Sequence, residues 1–126
     1  MATRTIANGG GDWTAAGTWV EGVAPTAADD VVATATSGDV TVDSGAVCRS
    51  ADFTNYVGIL THTAGVTLTI GDGTAGAGNV ALRFVAGMTY TLGNAATSAI
   101  RFASTSATQQ TITTAGKVLG NVTWDT

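Results

Sequence analysis

Apolar and polar residues alternate in short runs along most of this chain, and nearly every run ends in Gly, Asn, Asp or Ser. "DVTVD" (39–43), "VTLTI" (66–70) and "MTYTL" (88–92) place a β-branched or large apolar side chain at every second position. A period of two puts those side chains on one face of an extended strand and leaves Thr on the other. The same pattern predicts strands at Val31–Ala35, Asp39–Asp43, Val47–Thr54, Gly58–Thr63, Val66–Ile70, Asn79–Val85, Met88–Leu92, Ala99–Ala103, Thr111–Thr114 and Asn121–Trp124. Helix signals are confined to "PTAADDV" (25–31), which is too short for more than a turn.

The runs echo one another. "GVTLTIGDG" (65–73) and "GMTYTLGNA" (87–95) share Gly, Thr, Thr and Gly at an offset of 22 residues. "ALRFVAG" (81–87) returns as "AIRFAST" (99–105) at an offset of 18, and "TITT" (111–114) falls under "TYTL" (89–92). Imperfect repetition at this period, without helices, predicts an all-β fold: a parallel β-helix-like solenoid with rungs of about 20–25 residues. Each rung would cover the apolar face of the next, and parallel pairing would satisfy the backbone. On this alignment Thr67, Thr89 and Thr111 form one ladder, and Thr69, Thr91 and Thr113 another. The alternative is a β-sandwich, whose strands need no fixed offset.

Residues 1–37 stand outside the repeat and hold Trp13, Trp19, Glu21 and Pro25, the last two being the chain's only Glu and only Pro. A solenoid must cover its first rung, so Trp13, Trp19 and Pro25 are the predicted structural cap, after a flexible arm "MATRTIANGGG". Residues 38–126 supply the rungs. No cap follows the strand-like "NVTW", so the expectation is a longer polypeptide or a covering partner.

Composition narrows the function. Only 11% of residues are charged and the net charge is −4. Nucleic acid is excluded as an expected partner, because phosphate binding needs a basic face. Cys48 is the only cysteine, so no disulfide forms within the chain. There is no signal-peptide pattern and no membrane-length apolar run, so synthesis in the cytoplasm and no membrane partner are expected.

Candidate chemistry is sparse. "GDGTAG" (71–76) spells the dinucleotide-binding glycine pattern after a strand. A strand signal follows it where a helix is required, and no acidic residue stands about 20 positions on. A turn between rungs is the expectation, with no cofactor. Asp29/Asp30, Asp39/Asp43 and Asp52 lack the spacing of a calcium roll, and turn capping is their expected work, with no metal site. His62 has no ligand or triad partner nearby in sequence, and Cys48 reads as a small buried residue; no catalytic residue is expected. Arg83 and Arg101 fall at equivalent repeat positions, "LRF" and "IRF", and are candidates to share an outer face and contact an acidic neighbour.

"GGGDWTAAGTWVEGVAPTAADDVVAT" resembles the opening segment of β-helical surface proteins at Trp13, Thr18, Trp19, Gly22, Pro25, Asp30 and Val32. Together with "AGVTLTIGDGTAGAGNVALRFVAGMTYTLG", the chain resembles the N-terminal part of tailed-bacteriophage structural proteins of the minor-tail, fibre or head-decoration type. That resemblance implies a non-enzymatic component of a virion. Its partners would be other virion proteins and further copies of itself, as a homo-oligomer such as a trimer. The alternative is an adhesin-like module that holds a host-surface glycan, with Tyr56, Tyr90, Trp124, Trp13 and Trp19 as the candidate contacts; Tyr90 falls where Leu68 does in the repeat and is expected to point inward, and Trp13 and Trp19 are claimed by the cap.

Overall fold

The computed structural model describes residues 2–103 and 106–125. In chain order the strands are β1 (Thr3–Thr5), β2 (Gly11–Asp12), β3 (Asp30–Val32), β4 (Val40–Val42), β5 (Val47–Cys48), β6 (Ser50–Asp52), β7 (Ile59–His62), β8 (Thr67–Ile70), β9 (Val80–Arg83), β10 (Thr89–Leu92), β11 (Ala99–Phe102), β12 (Thr111–Thr113) and β13 (Asn121–Trp124). No α-helix occurs among the described residues. The strands form three sheets: sheet 1 in the order β1-β3-β6-β9-β12, sheet 2 in the order β2-β4-β7-β10, and sheet 3 in the order β5-β8-β11-β13. Every pairing between them is parallel. The protein is thus all-β with parallel sheets, not the antiparallel pairs from which a sandwich is built.

The chain visits the sheets in a constant order, 1 then 2 then 3, over five passes. The first pass has no strand in sheet 3, and the fifth has none in sheet 2. Alternation within each strand sends one set of side chains inward. Val31, Ala51 and Leu82 are fully shielded in sheet 1, Val40 and Leu60 in sheet 2, and Cys48, Ile70 and Leu68 in sheet 3. Each such Val, Leu or Ile contributes roughly 1.5–3 kcal/mol by leaving water.

Every expected run contains a strand, but the expected ladders are not formed. Thr67 lies in sheet 3, Thr89 in sheet 2 and Thr111 in sheet 1. The same holds for Thr69, Thr91 and Thr113. The corners explain this, because they use very different lengths of chain. Arg49 alone separates β5 from β6, whereas residues 71–79 separate β8 from β9. Neighbours in register are instead Thr41, Thr61 and Thr91 in sheet 2, and Ile70, Phe102 and Trp124 in sheet 3. The N-terminal segment also departs from a flexible arm. Thr3–Thr5 pairs with Asp30–Val32, and Gly11–Asp12 pairs with Val40–Thr41, so its backbone is tied into the first pass.

Candidate functional site

A parallel sheet ends in a row of unpaired backbone groups, and its inward side chains lose their next neighbour. At the N-terminal end the chain covers both. Residues after the turn at Ala16–Thr18 run back along β1: Ile6 bridges Trp19 antiparallel, and the Val20 N–H donates to the Thr5 carbonyl at 2.8 Å. The Glu21 carboxylate accepts the Thr5 N–H at 2.6 Å. The Thr18 hydroxyl donates to the Asp12 carbonyl at 2.6 Å, on β2. Sheet 3 begins one pass late, and the Trp13 indole N–H takes the vacant place by donating to the Val47 carbonyl at 3.0 Å. Trp19 donates to the Trp13 carbonyl at 2.9 Å, and the two rings meet edge to face, 5.4 Å apart. Trp13 is 1% exposed and Trp19 2%. Pro25, the third predicted cap residue, is also buried.

The interior carries two polar arrangements that no local sequence pattern announces. Arg49, in its one-residue corner, donates through Nε to Asp30 at 2.9 Å and grips the same carboxylate through Nη2. Ser50 donates to Asp30 at 2.6 Å. Burial pushes the Asp30 carboxyl up, but Arg49 and Ser50 outweigh it and hold it below the ordinary value. This ion pair ties β3 to the corner that opens β6. His62, on β7, is fully buried between Tyr90 and Val66. The Val66 carbonyl can only accept, so His62 Nε2 carries the proton at 2.8 Å, and Nδ1 accepts from the Tyr90 hydroxyl at 2.7 Å. Burial lowers the His62 pKa, against the opposing Val66 bond, and the ring is neutral.

The remaining sequence candidates hold turns and strands in place. "GDGTAG" follows β8 and leads through a single 3-10 turn, Ala77–Asn79, into β9, with no α-helix after it. The Asp72 carboxylate accepts the Thr74 N–H at 2.9 Å, and a side chain at Gly76 would collide with Val80 and Ser50. Those glycines therefore make the link from sheet 3 back to sheet 1. Asp39 accepts the Ile59 N–H, Asp43 the Thr14 N–H, and Asp52 the Thr54 N–H. Asp29 is held low: burial raises its pKa, but bonds from Thr26, Arg4 and Ala2 outweigh that. No group of three metal-ligating side chains occurs among the described residues. Cys48 is buried, which pushes its thiol pKa far up.

Three candidates for contact with a partner require correction or relocation. Tyr56 is 0% exposed, with its hydroxyl 2.8 Å from the Gly38 carbonyl. Burial pushes its pKa up to about 12, and its ring presents no face to a sugar. Arg83 belongs to sheet 1 and pairs with Asp52 at 2.9 Å. Arg101 belongs to sheet 3 and pairs with Asp125 at 2.6 Å. The two arginines therefore share no face, and each is matched by a carboxylate of its own sheet or of the segment just after it.

Among the described residues the C-terminal end has no counterpart to the tryptophan seal. Leu92, Ile112 and Val122 point inward from the last strands of their sheets, yet are only half-buried. Trp124 stacks on Phe102 with centroids 4.7 Å apart, and its other side is open, so that it is 60% exposed. A cleft of about 110 Å³ opens between sheets 1 and 3, with Phe102, Ile112 and Trp124 as its apolar walls and Arg49, Gln110 and Asp125 at its polar side. This end is the candidate functional surface. No helix among the described residues is long and apolar enough to cross a membrane. Compared with known protein families, curated protein sequences and solved structures, the chain matches none.

Proposed function

We propose that the three parallel sheets are the faces of a β-solenoid, and that the chain is a rigid, non-enzymatic structural module of a bacteriophage virion. Its place would be a minor tail protein, fibre or capsid decoration, in contact with other virion proteins and with further copies of itself. The observation that carries this reading is the constant order of the sheets over five passes, with parallel pairing throughout. A coil of that kind gains stiffness because each pass is hydrogen-bonded to the pass before it and the pass after it. The polar side chains support a structural role, since Asp30, Arg49, His62 and Tyr56 are engaged in bonds that hold strands and corners. The virion assignment is supported by the resemblance around Trp13, Thr18, Trp19 and Pro25. The glycan-binding alternative loses Tyr56, Trp13 and Trp19 to the core and keeps Trp124, which is 60% exposed.

The test is to purify phage particles from a lysate of the strain that carries the gene, by density gradient, and to search them for this chain by mass spectrometry. Co-banding with particles is expected. A chain found only in the soluble fraction would overturn the virion reading, and strongly helical circular dichroism would overturn the solenoid.

A further inference from the structure

The fifth pass cuts a corner. Fourteen residues (33–46 and 53–66) link sheet 1 to sheet 3 in the second and third passes, and fifteen (84–98) do so in the fourth. In the fifth only seven (114–120) do so, and sheet 2 receives no strand. The result is a notch one strand wide, with β10 as its floor and β12 and β13 standing one pass higher on either side. The Thr89 and Gly93 N–H groups are turned toward β7, bonded to the Gly58 and His62 carbonyls at 3.1 and 2.8 Å. Strand alternation therefore directs the backbone groups of Tyr90 and Leu92 to the open side. The side chains of Tyr90 and Leu92 are half-buried beneath it. β10 carries no charge and no Pro, so it lacks the usual protection of an edge strand. The short link runs past Leu92 at Gly120 and carries Lys117, the only charged residue between Arg101 and Asp125. Lys117 is in no ion pair among the described residues.

We propose that this notch accepts one extended strand from another polypeptide, paired in parallel with β10, with apolar side chains at alternate positions and an acidic residue that meets Lys117. Main-chain bonds would supply the affinity and the alternate inward positions the selectivity. The proposal uses the strand pairings and the charge of the link, and stands apart from the virion reading.

The probe is the synthetic peptide GDVTVDSG, the sequence of residues 38–45, whose centre is β4 of sheet 2 and whose flanks are Asp39 and Asp43. Titration followed by amide NMR is expected to give saturable shifts at Tyr90 and Leu92. The same peptide methylated at its Thr nitrogen and at the nitrogen of its second Asp should bind at least about tenfold more weakly, because with both Val side chains inward those are the N–H groups that face β10, as Thr41 faces β2 in the intact chain. The K117E variant should bind the unmodified peptide about threefold or more weakly, and less so in high salt. Absence of saturation, equal binding of the methylated peptide, or shifts confined to β12 or β13 would overturn the notch. Unchanged affinity in K117E would overturn the acidic requirement.

Discussion

Trp13 and Trp124 stand at opposite ends of the same parallel sheets, and only one of them is sealed. Trp13 is 1% exposed, Trp124 60%. Ring size is common to both, so the difference lies in what the chain places around each. Trp13 finds the Val47 carbonyl for its N–H and Trp19 for its edge, because residues 18–21 fold back over the first pass. Trp124 has Phe102 on one face and, among the described residues, no partner for its indole N–H. Sealing such an end thus takes a returning segment as well as a large side chain. That segment must satisfy the backbone edges of every sheet at once, as Val20, Glu21, Thr18 and Trp13 do.

The sharpest way to break this comparison is to truncate both tryptophans. Trp13→Ala should cost about 3–5 kcal/mol of unfolding free energy, since it removes a buried ring and leaves a cavity beside Trp19. It also leaves the Val47 carbonyl without its donor. Trp124→Ala should cost under about 1 kcal/mol, as expected for an exposed side chain with one stacking partner. Denaturant titrations of the two variants decide the matter. Equal losses would mean that the exposed end contributes as much to folding as the sealed one.

The next largest effect is expected from the buried ion pair. Asp30→Asn keeps the shape of the side chain but leaves the Arg49 guanidinium without its counter-charge, and should cost about 3 kcal/mol. Asp125→Asn removes the equivalent charge from Arg101 on the solvent side, and no change in melting midpoint is expected there. A double variant, Asp30→Asn with Arg49→Leu, should recover part of the loss, because the cost arises from an unpaired buried charge. If the double variant is no better than the single one, Arg49 serves through its bonds to the corner and not through its charge.

The division between what was legible in the sequence and what was not follows from the same physics. Period-two alternation reports that a residue will be extended and which neighbours share its face, and each expected run holds a strand within a few residues of the expected bounds. Tyr90 was legible as inward-facing because it falls where Leu68 does in the repeat, and it does turn inward to His62. Alternation carries no information about which sheet a run joins. That depends on the corners, and one residue at Arg49 does what residues 71–79 do elsewhere. Hence Arg83 and Arg101 echo each other in sequence and share no sheet. The run Val47–Thr54 likewise hides a corner, since Arg49 turns aside to reach Asp30, 19 residues earlier. β1 and β2 were illegible because "TRT" and "GD" are short and polar, and they become strands only through the partners that lie beside them.

Mild acid should act on the open end before the sealed one, with the smallest effect of the set. The His62 pKa is lowered in the fold by burial, so between that depressed value and about 6.5 the unfolded chain binds a proton that the folded chain refuses. Stability from this group is therefore complete above about 6.5 and falls as the pH drops below it. The carboxylates held low, Asp29 and Asp30, respond in a separate window, with loss beginning as the pH falls through 3.8. Protonation of His62 Nδ1 would remove the acceptor for the Tyr90 hydroxyl, on β10, at the edge of sheet 2. Amide protection at β10, taken relative to the intrinsic exchange rate at each pH, should consequently fall between pH 7 and pH 5, while protection at β1 and β3 stays level. In His62→Gln that pH dependence should vanish whatever the variant's overall stability. A slope that persists in the variant would assign the acid response to another group.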